Sequence, residues 1–263
     1  MFKREMKINL KSFIIWLSIL LVMFLVVFLM YPSIANNENI AMIDEMVKLF
    51  PEEVLKALNM DISSIDNVFG WLKTEGFVFV LLITGIYSGM LGSGILLKEE
   101  NDKTIEYLNS VPVKRKNIVL NKVSCAIIYI FLMILILSIF NYIGLQLSGD
   151  FDRKTYILLS ITPIFPAIVI FAVCLFISTF THKTKKTIGI SLGIVFASYF
   201  LNIISELGES TEFFKYISVF TLADIRNVII NSSINPLMVV ISLVLTILFI
   251  VLTIIHYNKK ELI

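Results

Sequence analysis

The stretch VSCAIIYIFLMILILSIFNYIGLQLSG, residues 123–149, runs for 27 residues without an aspartate, glutamate, lysine or arginine. As a helix it would be about 40 Å long at 1.5 Å per residue. That exceeds the ~30 Å hydrocarbon core of a bilayer, which about 20 apolar residues already cross. Five more charge-free stretches cover residues 12–37, 76–97, 155–182, 187–205 and 227–258, and all 42 charged residues lie outside the six. The pattern predicts an all-α polytopic membrane protein with six transmembrane helices, at about 12–31, 77–97, 123–147, 156–181, 187–205 and 236–257.

Composition agrees. The chain has 263 residues, 57% hydrophobic and 16% charged, against about 25% charged in soluble domains. Its mean hydropathy is +0.89. An ordinary soluble enzyme, a disordered chain and a secreted disulfide scaffold are all excluded. The two cysteines, Cys125 and Cys174, sit inside apolar stretches and read as reduced, buried side chains. The first apolar run, residues 13–31, has 19 residues. A signal-peptide core has about 7–15, so this run reads as a retained span.

Lysine and arginine set the orientation. Taking alternate segments, 15 fall on one side (the N-terminus, the 98–122 loop, residues 183–186 and the C-terminus) and 7 on the other. The richer side is expected to be cytoplasmic, with both termini there.

Residues 1–11 read as a short amphipathic interfacial helix, with Phe2, Met6 and Leu10 on one face and Lys3, Lys7 and Lys11 on an adjacent one. Residues 12–263 form a single six-span domain. Residues 32–76 are an outer loop with helical patterns, including Ile43, Met46, Val47 and Phe50 on one face. Residues 206–235 form a second outer segment. Its Phe213, Phe214, Tyr216, Ile217 and Phe220 suggest a stretch that re-enters the membrane or lies in its surface.

The 98–122 loop between spans two and three is the most unusual segment. It contains KEENDKTIEYLNSVPVKRK, residues 98–116. Asn101 or Asp102 can cap a short helix, on which Ile105 and Leu108 share a face flanked by Tyr107. Pro112 ends that helix, because the residue before a proline is pushed out of helical geometry. The product is a small apolar ridge in dense mixed charge, which reads either as a docking surface or as a solvated charged loop with a lipid-facing basic cluster, Lys114-Arg115-Lys116.

This segment resembles the signature loop of the permease subunits of type-2 ATP-binding cassette (ABC) exporters. The likeness falls on Glu99, Glu100, Thr104, Ile105, Glu106, Leu108, Pro112, Val113 and Arg115. It departs at Lys103, where the family usually carries glycine, and at Asn109, where a second leucine is common. The C-terminal Lys259-Lys260-Glu261-Leu262 and, less specifically, residues 216–220 resemble the same family. The resemblance implies that the loop is a cytoplasmic coupling helix seated in a groove of an ABC ATP-binding subunit, and that residues 1–11 are the elbow helix. The ATPase contact would use Ile105, Tyr107, Leu108 and Pro112, with Glu99, Glu100, Glu106 and Arg115 as polar partners. Two permeases, either two copies or one copy with a sister permease, would complete the pathway in a bacterial cytoplasmic membrane. Without a P-loop the chain holds no nucleotide, so ATP and magnesium are expected on the separate ATPase. No cofactor or metal is expected on this chain, and its partners include membrane lipid but no nucleic acid.

Other chemistry finds little support. His182 and His256 sit at span ends, and neither H-E-x-x-H nor G-x-S-x-G occurs. The chain reads as a non-catalytic subunit. An ion-coupled secondary transporter or channel usually keeps ionisable residues inside its spans, and these spans have none. That reading, and a non-transporting scaffold or immunity protein, stand as the alternatives. Gly85/Gly89 and Gly189/Gly193 form G-x-x-x-G pairs that permit close helix approach within one subunit or across a dimer. Polar residues in the spans, among them Thr84, Ser138, Asn141 and Tyr199, line a path or tie helices together. Pro163 and Pro166 should kink span four.

Overall fold

The computed structural model of the protein describes residues 2–34, 68–104 and 113–260. Among these no strand occurs, and six helical segments are long and apolar enough to cross a membrane. They are α1 (Phe2–Ile34), α3 (Phe77–Ile95), α5 (Arg115–Ser148), the pair α6 (Arg153–Ile161) and α7 (Ile164–Ser178), α8 (Thr184–Ser205) and α10 (Pro236–Lys259). Short α2 (Val68–Trp71) and a π-turn (Leu72–Gly76) lead into α3. Helix α4 (Lys98–Asn101) follows it. Two 3-10 helices (Glu209–Tyr216 and Phe220–Ala223) and α9 (Ile225–Asn231) link α8 to α10.

Helix ends follow local chemistry. α5 stops at Gly149, whose φ of +144° suits a residue without Cβ. Asp152 then caps α6, accepting from the Lys154 and Thr155 amides at 3.0 and 3.3 Å. Span four is broken at Thr162–Pro163, because proline offers no N–H and clashes with the preceding turn. Asn235 accepts from the Leu237 amide at 3.1 Å and caps α10, with Pro236 in the favoured first position.

Helices α3 and α7 are the centre. α7 packs most extensively on α3 and then on α10, α8 covers α3, and α1 lies along α5. The α3–α7 contact is close because small residues line it. A Cβ on Gly92 would lie 2.5 Å from the Phe171 carbonyl oxygen; one on Gly85 would meet the Phe220 ring at 2.9 Å, and one on Gly89 would meet Val195 of α8 at 3.3 Å. Ser93 and Ser191 share a hydrogen bond between α3 and α8. By contrast no described residue lies within 4 Å of a Cβ at Gly189 or Gly193. That face of α8, with Ile190 and Phe196, is exposed. α1 and α10 also turn large apolar side chains outward, such as Leu29 and Ile247, as helices bordering lipid do.

Two expectations meet a different geometry. The basic segment 1–11 does not form a helix of its own: from Phe2 it is continuous with the first span. No proline or glycine interrupts residues 2–31, and the segment packs on α5, where Tyr129 donates to the Met6 carbonyl at 2.5 Å. Helix α5 starts eight residues before the predicted span at 123, because the basic turns 115–122 are helical too. The helical patterns at residues 43–58 lie outside the described residues. In the 206–235 segment Phe220, Leu222 and Ala223 are buried, whereas Phe213, Tyr216 and Ile217 are exposed.

Candidate functional site: the buried ionic base of the 98–115 loop

Where α3 ends, the chain turns through Leu96 and Leu97 and places two successive carboxylates in the protein. Glu99 is 2% exposed and Glu100 8%. Each meets a buried cation from a distant part of the sequence. Lys122, two turns into α5 and wholly buried, donates to both Glu99 oxygens at 2.9 Å and to the Ile95 carbonyl at 2.6 Å. Glu5 of α1 approaches the same ammonium at 3.4 Å, and Arg4 reaches Glu99 at 3.6 Å. On the other side, Glu100 accepts from Lys260 at 2.8 Å and faces His182 Nδ1 at 2.8 Å. Lys260 also donates to the Thr181 carbonyl at 2.7 Å.

Two side-chain clips, Arg115 and Asn101, complete the arrangement. Arg115 donates to the Tyr257, Asn258 and Lys260 carbonyls at 3.3, 3.2 and 2.8 Å. It thereby satisfies acceptors that the end of a helix leaves open and places a cation at its negative end. Asn101 donates to the Leu97 carbonyl at 2.6 Å and to Thr184 Oγ1 at 2.5 Å, while its Oδ1 accepts from the Thr184 amide at 3.4 Å. The ends of all six spans thus meet at the base of one loop.

The turn out of α4 has a defined shape. The Lys103 amide donates to the Glu100 carbonyl at 3.4 Å and the Thr104 amide to the Glu99 carbonyl at 2.9 Å. This double closure is a Schellman motif, which needs a left-handed residue just past the helix end. That residue is Lys103, at φ +53°, the one position in this stretch where a glycine was expected from the resemblance.

Ion pairs withdrawn from water contribute little net stability, because desolvation offsets their attraction. Removing one partner is different, since it strands a charge. The cluster is therefore a fixed joint. Among the described residues no group of His, Cys, Asp or Glu could hold a metal.

The sequence-predicted residues divide accordingly. Glu99, Glu100 and Arg115 come together, but their polar groups are engaged within the chain. Thr104 is exposed and Val113 half-buried. Ile105, Glu106, Tyr107, Leu108 and Pro112 lie outside the described residues. Glu5, Lys122, His182 and Lys260 were missed. Glu5 carried a signal, as the single acid in a basic segment, and so did Lys122, which lies seven residues after Arg115 on one helix face.

The opposite end holds a cavity of about 420 Å³ between α3, α8 and the 206–226 segment, lined by Glu75, Tyr199, Asn202, Glu206, Asp224 and Arg226 among others. Burial pushes the Glu75 carboxyl above its ordinary range. It does the same to Glu206, with Arg226 opposing the shift.

No curated protein and no solved structure matches this chain. A family model described as ABC-2 family transporter protein matches residues 1–262. With six membrane-crossing helices and a match over nearly its whole length, the chain belongs to the ABC-2 transporter family.

Proposed function

We propose that the chain is the transmembrane permease subunit of an ATP-driven exporter in a bacterial cytoplasmic membrane. Both termini lie on the cytoplasmic side, and a separate ABC ATP-binding subunit carries ATP and magnesium. The chain forms substrate pathway and does no catalysis itself. The observation that carries this reading is the joint at the base of the 98–115 loop. Glu99 and Glu100 are held by Lys122 and Lys260, and Arg115 by the end of α10. A displacement of the loop by a docked ATPase is therefore delivered to the ends of the six spans together. Glu99, Glu100 and Arg115 transmit, while the ridge of Ile105, Tyr107, Leu108 and Pro112 docks.

A second permease, a copy or a sister chain, completes the pathway. The open glycine face of α8 at Gly189 and Gly193 offers the close approach that helix pairs in membranes use.

The test is co-expression with the stand-alone ABC ATPases of the source genome, one at a time. One of them should purify in a complex with the chain, and Leu108→Asp should abolish it while leaving membrane insertion intact, because a charge would be forced into an apolar contact. Uphill substrate accumulation by the chain alone, in vesicles given a proton or sodium gradient, would overturn the reading in favour of a secondary transporter.

A further inference from the structure

Helices α5 and α6 form a hairpin through residues 149–152, and along its side runs a groove of about 380 Å³. This is within the size range of small-molecule sites. Its rim is apolar and open: Phe131, Leu135, Ile139 and Ile157 are 50, 41, 53 and 53% exposed, and among the described residues no charged one lines it. In a chain that crosses the membrane here, the mouth faces hydrocarbon.

The inner wall differs. Ile134, Ser138, Tyr156 and Ser160 line both the groove and a chamber of about 10 Å³ behind it, where Asn141 joins them. Tyr156 donates to the Ser138 carbonyl at 2.6 Å, and Ser138 to the Ile134 carbonyl at 2.7 Å. Asn141 Oδ1, in a residue only 2% exposed, has no hydrogen-bond partner among the described residues, and Ser160 Oγ, in a residue 7% exposed, has at most a weak approach to the Tyr156 hydroxyl. Buried polar groups are nearly always paired, and within a bilayer no bulk water stands by to pair them.

We propose that this groove is a lateral binding site for an uncharged, hydroxyl-bearing membrane lipid. Its hydrocarbon lies against Phe131, Leu135, Ile139 and Ile157, and its hydroxyl enters the chamber. An amide oxygen only accepts, so Asn141 requires a donor; a serine hydroxyl can give as well as take. One ligand O–H meets both needs, donating to Asn141 Oδ1 and accepting from Ser160. A phosphodiester or ammonium headgroup would find no counter-charge in this lining, which selects a neutral polar group. The inference requires the membrane embedding and is independent of the direction or energy source of transport.

The experiment uses the full chain in phosphatidylcholine nanodiscs, a lipid without hydrogen-bond donors. The probe is diacylglycerol with a photoactivatable diazirine in one acyl chain, and its methyl ether is the blocked control. Crosslinks mapped by mass spectrometry should fall on residues 131–142 and 156–164 and be several-fold stronger for the alcohol than for the ether. Unlabelled diacylglycerol should compete. Asn141→Leu with Ser160→Ala should remove the preference for the alcohol. Ile157→Trp, at an exposed position, should block the groove for both probes without touching the chamber. Equal labelling by alcohol and ether, or labelling spread evenly over the lipid-facing helices, would overturn the proposal.

Discussion

Lys122 holds Glu99 by both carboxylate oxygens at 2.9 Å, with the two side chains 0 and 2% exposed. The pair joins α5 to the start of the 98–115 loop across 23 residues of sequence. Lys122→Ala would leave Glu99 and Glu5 buried against each other with no ammonium between them. We expect a loss of about 3–5 kcal/mol, the usual consequence of stranding a buried charge. The double substitution Glu99→Gln with Lys122→Met should recover the part due to Glu99 and leave the part due to Glu5, whose cation is also Lys122. Thermal unfolding of the detergent-solubilised protein reads both, and equal damage from the single and double variants would show that the pair is not a unit.

Lys103 is the clearest local strain in the loop. A residue with Cβ in the left-handed region is roughly 1–2 kcal/mol worse than glycine, and Lys103 sits there at φ +53° to close α4. Lys103→Gly should therefore stabilise the protein by roughly 1 kcal/mol, while Lys103→Val should lower the melting temperature. A destabilised glycine variant would mean that the lysine side chain has a contact outweighing its backbone strain.

The six spans could be read from the sequence because the bilayer forbids charge over a fixed length, and a missing residue type is visible without knowing any contact. The family was legible in the 98–115 segment for the same local reason, as a motif of adjacent residues. The joint beneath it was not. Glu5 meets Lys122, and Glu100 meets His182 and Lys260, 82 and 160 residues away; nothing in a linear pattern pairs them. Charges at span ends also look interfacial whether they face headgroups or one another. Gly92 escaped for a simpler reason: its small partner four residues back is Ser88, so the pair reads as serine and glycine rather than as two glycines.

The glycines offer a graded test. Gly92→Ala would put a Cβ 2.5 Å from the Phe171 carbonyl oxygen. Backbone cannot step aside as a side chain can, so the change should cost about 1–3 kcal/mol of overpacking. Gly144→Ala meets the Phe28 ring at a similar 2.5 Å, but a ring on an outer helix can turn, and the effect should be smaller. Gly189→Leu and Gly193→Leu meet open space among the described residues. They should leave the melting of an isolated subunit unchanged and weaken only the association of two permeases, read by crosslinking in the membrane. A folding defect from Gly189→Leu alone would remove that face from consideration as a permease–permease contact.

Acid and alkali should act on different carboxylates at the 149–152 and 206–226 end. Asp152 is held below its ordinary 3.8, chiefly by the Thr155 hydroxyl and amide. Its contribution is complete above that value and is lost as the pH falls through the lowered folded pKa. Glu75 and Glu206 are raised above their ordinary 4.5 by burial. The folded state therefore favours their protonated forms, and the stability this gives is present below 4.5 and fades as the pH rises through the raised values. The contribution of these three groups should then be greatest between about pH 3.8 and 4.5 and decline on either side. Glu206→Gln, which removes the need to ionise a half-buried carboxyl, should raise the melting temperature at about pH 7–8 and flatten the alkaline limb, while Asp152→Asn should blunt the acid limb. Arg226 opposes the shift at Glu206 but does not figure at Glu75. Arg226→Gln should therefore steepen the alkaline limb in the wild-type background and have little effect once Glu206 is glutamine. A profile that Glu206→Gln and Glu75→Gln leave unchanged would place the alkaline limb elsewhere in the molecule.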